Sequence, residues 1–262
     1  MKKFLISLIF SFSFVSCIYA EPIEVAMDMS YPPFQFIENG VLKGVEPDIL
    51  AEVAKRTGLE FAPKKFVFEE IFPAIEDGSI QIAMAAIDMN EERLAKYSFS
   101  EAYYTTTSVF IASADNKEIS TKDDLIGKKI GIAVAGSAQE EIAKSIPNAK
   151  VVNGRNLINT MLLLYSNRID AMIAESINVP VILHSNYAYL SDREKANLSM
   201  LQDLGTPAKL EIFHIDFEGS VGQGFMTKKG ANAELLAKIS KAIAEMKVDG
   251  TIKSILAKYG LQ

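Results

Sequence analysis

Asp88 and Arg93 stand five residues apart where a small apolar run, Ile80 to Ile87, gives way to Asn90-Glu91-Glu92-Arg93-Leu94-Ala95-Lys96. Asn90 suits an N-cap, so the spacing predicts a short helix starting just beyond a buried strand. Glu91 and Glu92 match the positive end of the helix dipole, whereas Arg93 is a cation where that dipole disfavours one by about 0.3–1 kcal/mol. An anion would compensate it. A free carboxylate fits, because a guanidinium grips it in a bidentate fork and helix N-terminal amides add donors. The competing reading is an Arg93 paired with Glu91, Glu92 or Glu101 in solvent.

A second helix start of the same kind follows. Gly136 permits a tight turn, and Ser137-Ala138-Gln139-Glu140 has capping-box spacing, which makes either another anion site or two residues that cap each other. Asp28 and Tyr31 fall where the opening strand, Pro22 to Met27, delivers its loop, and Pro32-Pro33 hold that loop extended. The carboxyl edge of an open α/β sheet is where such folds bind ligands. Glu175 ends another apolar run, Arg168 to Ala174, while Glu46 and Asp48 read mainly as helix-start acids.

Composition bounds the function. With 49% hydrophobic residues the chain can bury a substantial core, and 27 basic against 33 acidic residues without a basic run disfavour a nucleic-acid surface. Met1-Lys2-Lys3 and the apolar run Phe4 to Val15 read as a secretory signal over residues 1–20, with cleavage after Ala20. Phe14-Val15-Ser16-Cys17 is a competing lipoprotein box that would anchor the chain at Cys17. Cys17 is the only cysteine, so no intramolecular disulfide forms. No nucleotide-binding glycine loop, metal cluster or nucleophile triad is present, so no cofactor is expected, and His184 and His214 read as structural.

Helical periodicity places helices after Glu46-Pro47-Asp48, with Pro47 at the first position, and over Glu69 to Glu76, Leu157 to Leu164, Asn232 to Lys247 and Thr251 to Tyr259. Strands are expected at Glu60 to Phe66, Ile80 to Ile87, Lys129 to Val134 and Ala149 to Val152. The β-branched run Thr105 to Ala112 reads as a strand crossing between two units, and Leu210 to Phe217 as the second crossing strand. The polar segment from Tyr187 to Lys209 reads as irregular.

Taken together, Asp88 to Arg93, Phe99-Ser100-Glu101-Ala102-Tyr103-Tyr104, Tyr31-Pro32-Pro33-Phe34, Gly44 to Asp48, Lys122 to Lys129 and Gly222 to Lys229 resemble the signature of polar amino-acid-binding proteins of bacterial ABC importers. The resemblance spans nearly the whole mature chain. It implies an α/β, two-lobed periplasmic-binding-protein-like fold of type II, each lobe a mixed, mostly parallel sheet flanked by helices, with two hinge crossings. Lobe 1 would comprise 21–107 and 220–262, and lobe 2 would comprise 108–219. The implied partners are a small amino acid or related amine and a membrane permease, with the protein a periplasmic monomer.

The implied ligand-binding residues are Asp28, Tyr31, Phe68, Ala86, Asp88, Arg93, Ser137 and Glu175. In the family, the residue matching Arg93 clamps the ligand's α-carboxylate, and that matching Ser137 meets it from the opposite lobe. The Glu175 position holds the α-ammonium, and Tyr31 with Phe68 sandwiches the side chain. Two departures stand out. Asp88 replaces a Ser or Thr, and Glu175 replaces an Asp. A carboxylate at Asp88 beside the ligand's own is costly in a dry cleft, and Asp28, Asp88 and Glu175 together make an acidic cleft relieved mainly by Arg93. The expected ligand is therefore cationic or amine-rich, such as lysine, arginine, ornithine or histidine, with an amide such as glutamine next and acidic amino acids last. The alternative is an enzyme resembling cyclohexadienyl dehydratases, with Glu175 or Asp88 as the acid.

Overall fold

The computed structural model describes residues 21–184, 195, 196, 199 and 209–261. Both readings of the first twenty residues therefore lie outside the described residues, as does most of the segment from Tyr187 to Lys209. In chain order the elements are β1 (Ile23–Met27), β2 (Ser30–Tyr31), β3 (Gln35–Glu38), β4 (Val41–Lys43), α1 (Val45–Thr57), β5 (Phe61–Lys65), α2 (Phe68–Asp77) and β6 (Ile82–Ala83). There follow α3 (Glu91–Lys96), β7 (Tyr97–Phe99), β8 (Tyr104–Ser113), β9 (Lys129–Ile132), α4 (Ala138–Ser145), β10 (Lys150–Asn153), α5 (Leu157–Tyr165), β11 (Ala171–Glu175) and α6 (Val179–His184). β12 (Leu210–Gln223), β13 (Met226–Lys228), α7 (Ala233–Val248) and α8 (Thr251–Lys258) complete the order.

Two five-stranded sheets form, in the orders β5-β1-β6-β13-β7 and β10-β9-β11-β8-β12. β1 lies parallel to β5 and β6, and β9 parallel to β10 and β11; the partners contributed by β13, β8 and β12 run antiparallel. Side chains alternate faces along each central strand, which fills both faces of each sheet. Val25 and Met27 join Ile49, Val53, Ile239 and Ile243 on one side, while Ala26 packs with Ile71 and Ile75 on the other. In the second sheet Val109 and Ile111 face Ile158 and Met161, and Phe110 faces Ile130 and Ile132. α7 thus packs on the first sheet beside α1, through the apolar stripe legible in its spacing. The imidazole of His214 rests edge-on to Phe110, ring centroids 5.0 Å apart.

Three details differ from the sequence expectation. The apolar run from Ile80 to Ile87 is buried, yet only Ile82 and Ala83 are strand, because the backbone turns at Ala86 with φ of 48°. α1 starts at Val45 behind Gly44, which puts Pro47 at its third residue. β12 runs on to Gln223, pairing Gly222 with Thr105 and Gln223 with Tyr104 after a register break between Asp216 and Val221. The long antiparallel pair β8 and β12 therefore leads the chain out of the first sheet and back to it.

Gly44 illustrates how tightly the loop after β1 is seated. Its φ of 131° is open to glycine alone, and an added Cβ would lie 2.2 Å from the Phe34 carbonyl oxygen. Gly44→Ala is expected to cost at least about 2 kcal/mol, lowering the melting temperature by roughly 4–8 °C. A melting curve that superimposes on the wild type's would refute this packing.

Candidate functional site

The loop from Met84 to Asn90 leaves β6, passes the left-handed Ala86 and enters α3, whose first turn Asn90 caps by accepting from the Arg93 N–H at 3.0 Å. Opposite it, Ser137 caps α4. Its Oγ accepts from Glu140 N–H at 3.3 Å and donates to the Val134 carbonyl at 2.8 Å, while Glu140 Oε2 accepts from Gly136 N–H at 2.6 Å. The Ser137 hydroxyl is thus committed to the start of α4 and to the turn before it, so what α4 offers a ligand is its amides. Asn90 Nδ2 donates to the Gly136 carbonyl at 3.1 Å, joining the two helix starts across a cleft between the sheets.

Arg93 reaches into that cleft. It is only 6% exposed, Nη1 donates to the Asp88 carbonyl at 3.3 Å, and its guanidinium lies over Phe72 and Phe68 at 5.2 and 5.7 Å from their ring centres. Among the described residues no carboxylate lies within 4.0 Å of it. Two of the acids that might have paired it in solvent are taken elsewhere, Glu92 by Lys96 and Glu101 by Lys247. Burial lowers the Arg93 pKa, opposed mainly by Asp88 and Glu175. It remains a cation, because guanidinium does not deprotonate in proteins.

Asp88 is buried at 2% exposure, and its carboxylate turns away from Arg93's fork. Oδ1 accepts from Gln223 Nε2 at 3.1 Å and Oδ2 from the Ala138 N–H of α4 at 3.4 Å. Burial raises its pKa, against the lowering pull of Arg93. Glu175 ends β11 and faces Asp88, Tyr31, Arg93 and the Gln223 amide; its Oε2 is fully covered and has no hydrogen-bond partner among the described residues. Burial, and then the neighbouring Asp88 charge, push Glu175 up to about 8. Tyr31 stacks on Phe34 at 5.9 Å and accepts from Asn178 Nδ2 at 3.4 Å.

The structure therefore brings Tyr31, Asp88, Arg93, Glu175 and the α4 start together, with Phe68 beneath Arg93. Asp28 lies apart, bonded to Ser30 Oγ at 2.8 Å, its pKa raised by burial and, more weakly, by Glu69. Ala86 takes part through its backbone. Its N–H donates to Glu46 Oε1 at 2.6 Å, and the Tyr103 hydroxyl donates to the same oxygen. Glu46, read from sequence as a helix-start acid, is fully buried and holds the loop carrying Asp88; burial pushes it up to about 7. Gln223 and Asn178 are not read as site residues from sequence: Gln223 stands in the stretch Gly222 to Lys229 without marking its side chain as a contact, and Asn178 sits in a turn with no motif. Among the described residues no His, Cys, Asp or Glu cluster could hold a metal.

Two sheets meeting at a buried arginine with no carboxylate within 4.0 Å among the described residues, at covered acid oxygens and at two helix starts are the arrangement of a ligand-binding protein of the periplasmic-binding-protein class. The chain belongs to the bacterial extracellular solute-binding proteins, family 3, whose model matches residues 23–262. Among curated relatives, a probable histidine-binding protein of Campylobacter jejuni is 28% identical over 240 residues, covering 92% of this chain and 85% of its own. Among solved structures, an ancestral arginine-binding protein bound to arginine is 30% identical, with a TM-score of 0.67 over 91% of this chain and 97% of its own. An ancestral amino acid-binding protein, described as a precursor of cyclohexadienyl dehydratase, is 25% identical with a TM-score of 0.69 over 91% and 94%. No helix among the described residues is long and apolar enough to cross a membrane.

Glu175 and Glu46 give the fold a distinctive pH response. Each ionises near 4.5 when exposed but holds its proton to about 8 and about 7 when folded. Between those values the unfolded chain releases protons the folded one retains, so rising pH favours unfolding. The melting temperature of ligand-free protein is expected to fall from pH 5 to 8, and Glu175→Gln should flatten the upper part of that fall. A melting temperature that rises across this window would contradict the burial of both acids.

Proposed function

We propose that this chain captures an α-amino acid with a cationic side chain and delivers it to the permease of an ABC importer outside the cytoplasm, acting as a monomer. The observation that carries the reading is the pair of opposite vacancies in hydrogen bonding. Among the described residues no carboxylate lies within 4.0 Å of buried Arg93, and the covered Glu175 Oε2 has no hydrogen-bond donor. An α-amino acid supplies both in one molecule, its carboxylate in the Arg93 fork and its ammonium against Glu175. The family, whose relatives include proteins named for binding histidine and arginine, supports the side-chain class. Asp28 is a further acid in the loop after β1, with Glu69 and Lys65 both acting on it.

Closure follows from the connections. We place lobe 1 at 21–107 and 220–262 and lobe 2 at 108–219, so that both crossings run through the β8 and β12 pair. Its register break between Asp216 and Val221 would let the strands bend there. The dehydratase alternative is set aside. Protonated Glu175 is an available acid, but the Arg93 and Glu175 arrangement accounts for binding alone, and the relatives compared are named as binding proteins.

Calorimetric titration of protein unfolded and refolded to strip bound ligand should show tight binding of arginine, lysine, ornithine or histidine, and no consumption of prephenate or arogenate. Arg93→Ala should weaken that binding at least about thirtyfold, as expected for deleting one half of a buried charge pair. Arg93→Lys should recover little of it, since an ammonium cannot reproduce the fork. Tight glutamate binding without any basic ligand, or turnover of either dehydratase substrate, would overturn the proposal.

A further inference from the structure

Gln223 is fully buried, and its backbone is held on two sides. It is the last residue of β12, its carbonyl accepts from Tyr103 N–H at 2.9 Å, and it bridges to Asp88 on the loop before α3. The side chain has little freedom in consequence. Its Nε2 donates to Asp88 Oδ1 at 3.1 Å, and the same amide faces the Glu175 carboxyl. The opposite orientation would set its carbonyl against a carboxylate, acceptor against acceptor. Its Oε1 is then buried with no hydrogen-bond partner among the described residues, a condition it shares with Glu175 Oε2. Buried acceptors are nearly always satisfied, and once Glu175 gives up its proton the two oxygens left open in this cluster call for a group bringing several N–H donors.

We propose that Gln223 is a third ligand-contacting residue, whose side-chain carbonyl accepts a hydrogen bond from the ligand's α-ammonium beside Glu175. The inference rests on an α-amino acid occupying the cleft, and it adds a determinant contributed by the crossing strand. An ammonium has three donors and one carboxylate oxygen satisfies one of them, so a neutral acceptor next to it improves the fit without adding charge. Gln223 thereby couples both acids to the ligand. Its amide nitrogen holds Asp88 away from the incoming carboxylate, and its carbonyl takes the amine.

The experiment compares a ligand with its counterpart lacking only the α-amine, L-arginine against 5-guanidinopentanoate, and L-histidine against 3-(imidazol-4-yl)propanoate as a second pair. The ratio of the two dissociation constants reads the α-amine contact alone. Gln223→Met, of similar length but without acceptor or donor, should shrink the wild-type ratio roughly tenfold or more. Most of that change should fall on the amino acid and little on its des-amino partner. Gln223→Glu keeps an acceptor oxygen in place and should keep or enlarge the ratio, which tests the idea even if the Met variant fails to fold. Equal weakening of both ligands by Gln223→Met, with the ratio unchanged, would reduce Gln223 to a clamp on Asp88 and overturn the inference, as would a collapsed ratio in Gln223→Glu. Wild-type protein that binds no α-amino acid would overturn the underlying reading as well, and the wild-type titration comes first so that the two failures are distinguished.

Discussion

Charge taken out of water must be answered by charge or by hydrogen bonds, and among the described residues the answer is incomplete around Arg93 and Glu175, as it is at Glu46 Oε2. Among the described residues no carboxylate lies within 4.0 Å of buried Arg93, and Glu175 has one fully covered oxygen without a hydrogen-bond partner. Desolvating either group costs several kcal/mol unless a partner is supplied. The surrounding structure serves to hold these groups facing one another. Asn90 and Ser137 cap helices that begin on opposite sides of the cleft, and the Asn90 amide ties one start to the other. The loop between β6 and α3 makes a left-handed turn at Ala86, a conformation that costs an alanine something, and the Glu46 carboxyl with Tyr103 secures it.

Asp88 is best understood within the same electrostatics. A carboxylate in place of a hydroxyl near the ligand's α-groups would repel the ligand's own carboxylate if it pointed there. It does not: its two oxygens are occupied by Gln223 and by the first amide of α4. One donor that the α4 start could have offered to a ligand is thereby spent inside the protein. In the proposed binding mode the weight of carboxylate binding would shift to Arg93. Burial, and then the nearby Asp88, raise Glu175, so in the proposed mode Glu175 would hold a proton that the ligand's ammonium displaces. Family membership and the named relatives fit such a site, while the residues themselves define its polarity.

Much of this was legible before any coordinates. α3 begins and ends at the residues its cap and composition indicate, α4 follows its capping box, and the stripe from Leu235 to Met246 packs on the first sheet. These features are set by neighbours within a few residues, so local spacing encodes them. The illegible parts depend on contacts between residues far apart in sequence. Nothing in Val45-Glu46-Pro47 distinguishes an acid that starts a helix in solvent from one that reaches forty residues ahead to bond Ala86. Gln223 sits beyond the expected end of its strand, and its meaning appears only when Asp88, 135 positions earlier, lies beside it. The run from Ile80 to Ile87 misled for a related reason: burial makes it apolar, but its backbone turns toward the site halfway along.

A structure of the refolded protein crystallised with L-arginine would test the central claim most directly. The account places the ligand's carboxylate in a two-bonded fork with Arg93, and its α-ammonium at about 3 Å from Glu175 Oε2. A ligand bound in reverse, with its guanidinium against Glu175 and its carboxylate clear of Arg93, would contradict it.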